Sequence, residues 1–580
     1  MAKDRAALLL GKGYFPSQLP PAFTTQQLAA HVADLQTAWA VKEEKSKSPP
    51  CKAELFSVAR AGHQRRTTSI VNPVSQLFLA TYVARHWPDF LRHYRGSRLS
   101  RSHPRFLTDG GRAACIPSMQ RLHELKVLES AGYRYMLRTD ISRFFPTIYT
   151  HSVPWALHTK EAAKAKENRH KKTADFFGNL IDQALRQGQD EQTMGLPIGP
   201  DTSHVVAEVI STSVDQLLRT ALGRWPAGFR YVDDYFLFFA NVAEAEGALA
   251  ALSSALKEFE LQINFEKTKI CSVAEIVDDY WTQQLRSFQI DKRGRRQRSD
   301  IHHFFELAND LARTNADENV MAYALKRAAS VLIRHENWVV FEARLCHVAM
   351  SHPNTLQTIA QILATYQFYG YELNFARIGR TITALIREHA GLGHHSEVAW
   401  CLWMCKELGI RLDPTCVSLV SVMPSSVCAL LLMDLAASGL LDAAPTETFW
   451  RTVDGAESLR EELWLMNYEA GARGWGGFTP AHAAADDRFK ELAARGIQFY
   501  DPDARSKPLF KIRDGVLTNP APEDIAKFFD REDADELLDY DEGDGGYEGV
   551  IFDEEPEPDP SPDSDEDDDQ VVAGKIPYEF

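Results

Sequence analysis

Three carboxylates stand out in this 580-residue chain because of where they fall relative to its apolar stretches. Asp140 ends an alternating segment, Tyr133 to Ser142, that is typical of a β-strand, and Asp233 and Asp234 lie between two short aromatic-rich stretches that are typical of a hairpin. Oxygen ligands on adjacent strands can hold two Mg²⁺ ions about 3.5–4 Å apart, as phosphoryl transfer requires. A hairpin turn would also keep these charges exposed until metal arrives. Taken singly, Asp233-Asp234 could be an ordinary turn and Asp140 a helix N-cap.

The elements around these carboxylates predict an α+β arrangement. Residues 242–261 have helical spacing, and residues 263–273 are a further strand candidate. Strand, hairpin, helix and strand in this order favour a sheet with helices packed on one face.

The second half of the chain has an almost entirely helical pattern. Apolar residues recur at helical spacing through residues 317–350, 354–369, 374–390, 396–409 and 415–440. Paired helices of this length favour a HEAT-like or irregular α-solenoid, although we find no fixed repeat period, and a compact helical bundle explains the pattern nearly as well.

Charge is distributed unevenly along the chain. The net charge of -16 conceals an acidic segment, because residues 521–580 contain 24 acidic and 3 basic residues, and the preceding 520 residues carry a net charge of +5. Residues 516–580 are therefore expected to form an acidic, largely disordered tail. It could mimic nucleic acid, or it could only keep the protein soluble. No apolar run reaches the roughly 18 residues that span a bilayer, and we expect a cytoplasmic protein with no membrane partner.

Eight scattered cysteines do not suggest a disulfide framework. Cys401 and Cys405 lie four residues apart, near His394 and His395, and could belong to a zinc site. No second pair of the CxxC type supports that site, so two core cysteines are the better interpretation.

Four motifs resemble those of reverse transcriptases. Residues 137–151 (LRTDISRFFPTIYTH) resemble the first palm motif, residues 195–208 (GLPIGPDTSHVVAE) the second, residues 231–234 (YVDD) the YxDD box, and residues 264–269 (NFEKTK) the fourth motif. They occur in the family's order, and the resemblance covers roughly residues 60 to 275.

The resemblance implies roles for particular residues. Asp140, Asp233 and Asp234 would be the catalytic ligands of two Mg²⁺ ions, with Mn²⁺ as a substitute, and Ile141 would belong to the same metal site. Other residues would bind the nucleotide. Phe145 would be a steric gate against the ribose 2′-OH, and Gly195, Pro197 and Gly199 would form the loop beneath the nucleotide. Lys267, with Lys269 as second choice, would lie beside the triphosphate, and Arg65 and Arg66 of the fingers would clamp it. Each of these residues also has a purely structural explanation, such as a core aromatic, a turn, or a solvated basic residue.

Two basic runs could contact nucleic acid. Residues 91–112 hold one acid against six arginines with interleaved aromatics, which is typical of a phosphate-tracking surface: Arg92, Arg95, Arg98, Arg101, Arg105 and Arg112. The second run could equally be a solvated linker, and consists of Lys292, Arg293, Arg295, Arg296 and Arg298.

The combined architecture predicts a right-hand polymerase followed by an all-α domain: residues 1–130 as N-terminal segment and fingers, 131–300 as palm, 301–515 as a helical domain in place of a thumb, and 516–580 as tail. It resembles bacterial defence reverse transcriptases of the abortive-infection (AbiK-like) and "unknown group" types. That resemblance implies an antiviral role, dNTP substrates, an RNA template or associated non-coding RNA, a DNA product that some members attach to a tyrosine, and homo-oligomers. A priming tyrosine would have to reach the metal site on a mobile segment. Tyr540, Tyr547 and Tyr578 lie in the acidic tail and Tyr14 lies near the N-terminus, and the sequence does not choose among them.

Two other functions remain open. A degenerate palm could present RNA as a scaffold without catalysis, although retention of all three carboxylates argues against it. An RNA-dependent RNA polymerase shares the palm chemistry, but it would ordinarily place at residue 145 a side chain that tolerates the 2′-OH.

Overall fold

The computed structural model describes residues 5–41, 47–62, 64–107, 111–116, 121–275, 280–291, 294–316, 318–509, 512–513 and 516–517. Among them, no helix is long and apolar enough to cross a membrane. Nearly all of the acidic tail lies outside these residues, as do Tyr540, Tyr547 and Tyr578.

The described part of the first 130 residues forms helices and short strands around a hairpin, which we call the N-terminal hairpin (Glu54–Ala59 and Arg65–Ile70). Its second strand leads into a buried helix, whose N-terminus is capped by the Asn72 side chain accepting a hydrogen bond from the backbone of Val74. The other elements are the helices Arg5–Gly11, Gln26–Ala30, Val32–Ala38, Pro73–Arg85, Trp87–Tyr94 and Arg121–Ser130, and the strands Arg105–Phe106 and Ala114–Cys115.

A four-stranded antiparallel sheet occupies the centre of the described chain. In spatial order its strands are Ala227–Tyr231, Asp234–Phe239, Tyr135–Asp140 and Lys269–Ser272. We call the first two strands and their turn the catalytic hairpin, and Tyr135–Asp140 the central strand. The catalytic hairpin and the central strand occupy the positions that the sequence predicts, whereas the strand expected over residues 263–273 is reduced to its last part because residues 264–267 form a turn.

Both faces of the sheet are buried, so the expectation of helices on one face only was wrong. Side chains alternate along Asp234–Phe239: Leu237 belongs to the main core, and Phe236 belongs to a second cluster on the opposite face. Helix Val242–Lys257 packs against the first face, and helix Arg121–Ser130 packs against the second. Burial on both sides explains why this strand is apolar at nearly every position.

The remaining helices of this region surround the sheet: Phe144–Thr147, Ser152–His158, Lys160–Lys164, Gly178–Gln187 and Asp201–Leu222, with 3₁₀ turns at Ala174–Phe176 and Val273–Glu275.

The helices after the sheet stack in two layers. The outer helices are Gly294–Thr314, His335–Ser351, Phe375–His389 and Pro414–Ser421, and they begin 41, 40 and 39 residues apart. Each packs on the next, and the alternating inner helices do the same. The inner helices are Tyr280–Ser287, Val320–Ala329, Leu356–Phe368, His395–Leu408, Ser426–Ala437 and Trp464–Arg473. The stacking has the near-regular spacing that the sequence pattern did not reveal, because the segments 317–350 and 415–440 each contain two helices rather than one.

Shorter elements complete the helical region: the helices Thr448–Val453, Ala481–Ala485 and Phe489–Ala494, the 3₁₀ turns Pro353–Thr355, Ala390–Leu392, Glu457–Arg460 and Trp475–Gly477, and the strands Ile512–Arg513 and Val516–Leu517. One hydrophobic core runs from the first helix to Leu509. The helical region is therefore packed continuously with the sheet region, and the helix Gly294–Thr314 runs across the boundary expected near residue 300.

Candidate active site

The central strand and the catalytic hairpin bring the three carboxylates together. Asp140 pairs in register with Asp234, and the backbone N–H of Ile141 donates to the carbonyl of Asp233 at 3.2 Å. Side chains of residues paired across an antiparallel sheet lie on the same face, about 5 Å apart. The apolar side chain of Ile141 is buried, so only its main-chain carbonyl could serve as a ligand.

The carboxylates are less exposed than a hairpin turn led us to expect. Asp140 is buried, and Asp233 and Asp234 are half-buried. Burial, followed by the negative charges of Asp234 and Asp140, raises the pKa of Asp233 to about 7. Burial and the charge of Asp140 also raise the pKa of Asp234. The expectation of solvated charges was wrong because the turn is enclosed by neighbouring chain segments.

The donor set fits a divalent cation. Three carboxylates share one site, and the buried Oδ1 of Asp140 has no hydrogen-bond partner among the described residues. A buried oxygen with no partner is unfavourable unless a ligand completes it. Lys267 balances part of the charge, since its Nζ donates to Asp140 Oδ2 at 2.8 Å and this hydrogen bond raises the pKa of Lys267.

The loop expected beneath the nucleotide is hydrogen-bonded to the segment that follows Asp140. Gly195 and Gly199 adopt φ values of +89° and +131°, which favour glycine. The backbone of Leu196 donates to the carbonyl of Phe145 at 2.8 Å, so the loop and Phe145 are joined directly. Phe145 is half-buried and its ring meets that of His204 edge-on at 5.1 Å, whereas Phe144 is a core residue. Pro197 is buried in the same loop.

The sequence did not reveal how this loop is anchored. Arg112, predicted to lie on a phosphate-tracking surface, is largely buried: it donates to Asp201 Oδ1 at 2.8 Å and to the carbonyl of Phe15 at 2.7 Å. Asp201 also accepts from the backbone of Ala114 at 2.9 Å. Arg112 therefore joins the N-terminal segment to the start of helix Asp201–Leu222, and its assignment to the exposed surface was wrong.

Tyr14 is also held in place rather than mobile. Its side chain is fully buried, and its hydroxyl donates to the carbonyl of Val71. Tyr14 lies near the N-terminus, but its contact with Val71, just after the N-terminal hairpin, makes it unsuited to a priming role that needs a mobile tyrosine.

The paired arginines of the N-terminal hairpin have different environments. Arg65 binds both carboxylate oxygens of Glu397 at 2.7 and 2.9 Å, whereas Arg66 is exposed. Glu397 lies in the first turn of helix His395–Leu408, so Arg65 connects the hairpin to the helical region.

The other arginines of the first basic run remain at the surface. Arg92 pairs with Asp89 at 2.8 Å and the half-buried Arg101 pairs with Glu129 at 3.2 Å. The exposed members are Arg92, Arg95, Arg98 and Arg105. In the second run, Lys292 and Arg293 lie outside the described residues. The others lie in the first two turns of helix Gly294–Thr314: Arg295, Arg296 and Arg298.

Seven of the eight cysteines are buried, and Cys271 is half-buried. Cys401 and Cys405 are fully buried in the core, as the interpretation without zinc requires. Among the described residues, His389, His394 and Glu397 bring three potential ligand atoms within 4.8 Å of one another. Arg65 already neutralises Glu397 in that cluster, so its geometry is explained without an ion.

Comparison with known families identifies the class of the site. Residues 92–299 match the family model described as reverse transcriptase (RNA-dependent DNA polymerase), and this segment contains Asp140, Asp233 and Asp234. The chain thus contains a reverse transcriptase domain. It is an RNA-directed DNA polymerase, a nucleotidyltransferase.

Two solved structures are similar to the chain at low scores. Apo telomerase from Candida tropicalis has 11% sequence identity and a TM-score of 0.31, over 69% of this chain and 77% of that one. Telomerase from Candida albicans, in complex with a TWJ fragment of telomeric RNA, has 11% identity and a TM-score of 0.27, over 60% and 68%. A comparison with curated proteins gave no match.

Proposed function

We propose that the chain adds dNTPs to a DNA strand by phosphoryl transfer at a two-Mg²⁺ site held by Asp140, Asp233 and Asp234, with the carbonyl of Ile141 as a further ligand. The observation that carries this proposal is the in-register pair of Asp140 and Asp234, together with a buried Asp140 oxygen that has no hydrogen-bond partner within the described part of the chain. Bound Mg²⁺, or Mn²⁺ in its place, lowers the pKa of the attacking hydroxyl and neutralises the leaving pyrophosphate.

Lys267 has the second role at this site. Its ammonium lies against Asp140 and is two-thirds exposed, so it can turn toward a bound triphosphate when a cation takes its place beside Asp140. There it would stabilise negative charge or donate a proton to the leaving group. Lys269 remains the second choice, because among the described residues Lys267 and not Lys269 makes a hydrogen bond to Asp140.

Nucleotide selection is assigned to Phe145 and the loop bonded to it. Phe145 would exclude a ribose 2′-OH by steric contact, and Gly195 and Pro197 would shape the floor beneath the nucleotide. Of the two fingers arginines, Arg66 is the better candidate for the triphosphate, because Arg65 is occupied by Glu397. Five arginines at the surface would follow the phosphates of the template–primer duplex: Arg92, Arg95, Arg98, Arg101 and Arg105.

The template and the biological role are assigned from the sequence resemblance. The chain would copy an RNA template, such as an associated non-coding RNA, or make protein-primed DNA without a template. It would act in antiviral defence in the cytoplasm, as a homo-oligomer, with HEAT-like repeats in its helical region. The family match to a reverse transcriptase domain supports the polymerase, and the stacked helix pairs are compatible with the repeat assignment.

Nucleotide choice tests the proposed function. Purified full-length chain with Mg²⁺ should extend a DNA primer on an RNA template with dNTPs and not with rNTPs. A Phe145→Val variant should gain rNTP incorporation while it retains dNTP incorporation. Extension with rNTPs alone by the wild-type chain would instead identify an RNA polymerase, and tight RNA binding without any synthesis would identify a scaffold.

A further inference from the structure

A buried arginine lies directly behind the turn that carries two of the carboxylates. Arg230 belongs to the first strand of the catalytic hairpin, two residues before the turn residue Val232, and its side chain is fully buried. Side chains alternate along a strand, and Arg230 pairs with Tyr235. Arg230 therefore points to the face opposite Asp140 and Asp234, so it does not belong to the carboxylate site itself.

Two acids on one helix hold the guanidinium. Arg230 donates to both oxygens of Glu208, at 3.0 and 2.8 Å, and to both oxygens of Asp215, at about 3 Å. Glu208 and Asp215 are seven residues apart on helix Asp201–Leu222, which places both on one face after two turns. Hydroxyl groups complete the network, because Ser100 donates to Glu208 at 2.6 Å and Tyr235 donates to Asp215 at 2.9 Å. The guanidinium thus has a fixed position relative to the helix.

Arg230 also donates a hydrogen bond to the backbone of the turn. Its Nη1 donates to the carbonyl of Val232 at 2.9 Å, and the hydroxyl of Ser102 accepts from the N–H of Val232 at 2.6 Å. Both backbone polar groups of Val232 are therefore held, one from each side.

Val232 needs this support because of its conformation. Its φ is +54°, in the left-handed region, where a β-branched side chain costs roughly 1–2 kcal/mol. Val232 precedes Asp233 and Asp234, so its backbone conformation sets the direction in which both carboxylates leave the turn. Strain of this size persists only when the surrounding structure fixes the residue.

We propose that Arg230 and Ser102 form a clamp that holds Val232 in its left-handed conformation and so positions Asp233 and Asp234 against Asp140 for metal binding. Both are positioning residues, since within the described part of the chain neither makes a hydrogen bond to the side chains of Asp140, Asp233 or Asp234. This inference rests on the metal site of the proposed function. The metal affinity of the chain thus depends on two side chains that act through the backbone of Val232.

Binding of Mn²⁺ to the full-length chain, measured by calorimetry or by the loss of its free-ion paramagnetic resonance signal, tests the clamp without relying on activity. Removal of Arg230 would leave two buried carboxylates and could prevent folding, so Ser102→Ala is the principal variant. Tyr235→Phe is its matched control, because it removes one hydroxyl bond from the same network without touching Val232. We expect Ser102→Ala to weaken Mn²⁺ binding about 10-fold, or about 1.4 kcal/mol, while Tyr235→Phe leaves Mn²⁺ binding unchanged.

A second substitution isolates the strain. Glycine adopts φ = +54° without penalty. The double variant Ser102→Ala/Val232→Gly should therefore recover at least half of the binding free energy that Ser102→Ala loses. Wild-type affinity in Ser102→Ala would overturn the clamp, as would equal losses in Ser102→Ala and Tyr235→Phe, or a double variant weaker than Ser102→Ala. Equal Mn²⁺ binding by wild type and Asp233→Asn would instead show that Asp233 is not a metal ligand. That result would refute the proposed metal site, and with it the clamp.

Discussion

Replacement of Arg65 by methionine separates two roles for this residue. The sequence predicts that Arg65 binds the triphosphate, whereas the structure pairs its guanidinium with Glu397 at 2.7 and 2.9 Å. The Glu397 side chain is only 1% exposed, and Arg65 is 25% exposed. Burial alone would raise the pKa of Glu397, but hydrogen bonds from Arg65 and Ser396 hold it below its ordinary value. The carboxylate therefore depends on Arg65 to remain charged.

The structure gives the size and sign of the effect. Loss of one partner of a buried ion pair destabilises a protein by about 3–5 kcal/mol; because Ser396 still donates to Glu397 at 2.8 Å, we expect about 3 kcal/mol for Arg65→Met. The lowered pKa of Glu397 stabilises the fold above the unfolded-state pKa, and this stabilisation is lost as the pH falls through the folded-state pKa. Arg65→Met should therefore narrow the stability difference between pH 7 and pH 3.

Denaturant unfolding and steady-state kinetics together decide between the roles. Arg66→Met is the matched control, because its exposed side chain should change stability by less than about 0.5 kcal/mol. We expect Arg65→Met to lower stability and leave the KM for dNTP within about twofold, a difference of about 0.4 kcal/mol. Unchanged stability with a tenfold higher KM would refute the ion-pair role.

Three further predictions concern other parts of the chain. Glu54 is buried beside Ser426, and burial raises its pKa to about 7. Its contribution to stability is therefore present below about pH 4.5 and lost as the pH rises through about 7, so the thermal midpoint of Glu54→Gln should vary less between pH 5 and pH 8 than that of wild type. An unchanged pH profile would contradict this. Arg112→Lys keeps the charge but not the bonds to Asp201 and Phe15, so the thermal midpoint of this variant should fall by several degrees. The control Arg98→Lys, at an exposed position, should match wild type. Equal midpoints for Arg112→Lys and wild type would show that these bonds do not stabilise the loop. Replacing Arg95 and Arg98 by glutamine should weaken duplex binding and lower its salt dependence by about two units of slope, and an unchanged slope would exclude phosphate contacts there.

The catalytic hairpin was predictable because its signals are local. Two aromatic-rich strands around a polar turn, and an alternating strand ending at Asp140, depend on residue types within a few positions. The helical region was predictable as helices for the same reason. Its two-layer stacking was not, because pairing between helices some 40 residues apart leaves no signature in any single window.

The contacts that fix the site were missed because they join distant segments. Arg112 meets Asp201 across 89 positions, and Arg65 meets Glu397 across 332. One signal was available: Arg230 interrupts an apolar strand, and Glu208 and Asp215 lie at one face of an apolar helix. Buried charges need partners, so these three could have been matched to one another before their geometry was known.

The dependence of DNA synthesis on the three carboxylates is the most direct test of the central claim. We would measure dNTP incorporation by wild type and by Asp234→Asn across a Mg²⁺ titration, with Asp310→Asn as a control at an exposed aspartate on helix Gly294–Thr314. The metal site predicts that Asp234→Asn loses about 100-fold or more in rate at every Mg²⁺ concentration, while Asp310→Asn matches wild type. Undiminished synthesis by folded Asp234→Asn would contradict it.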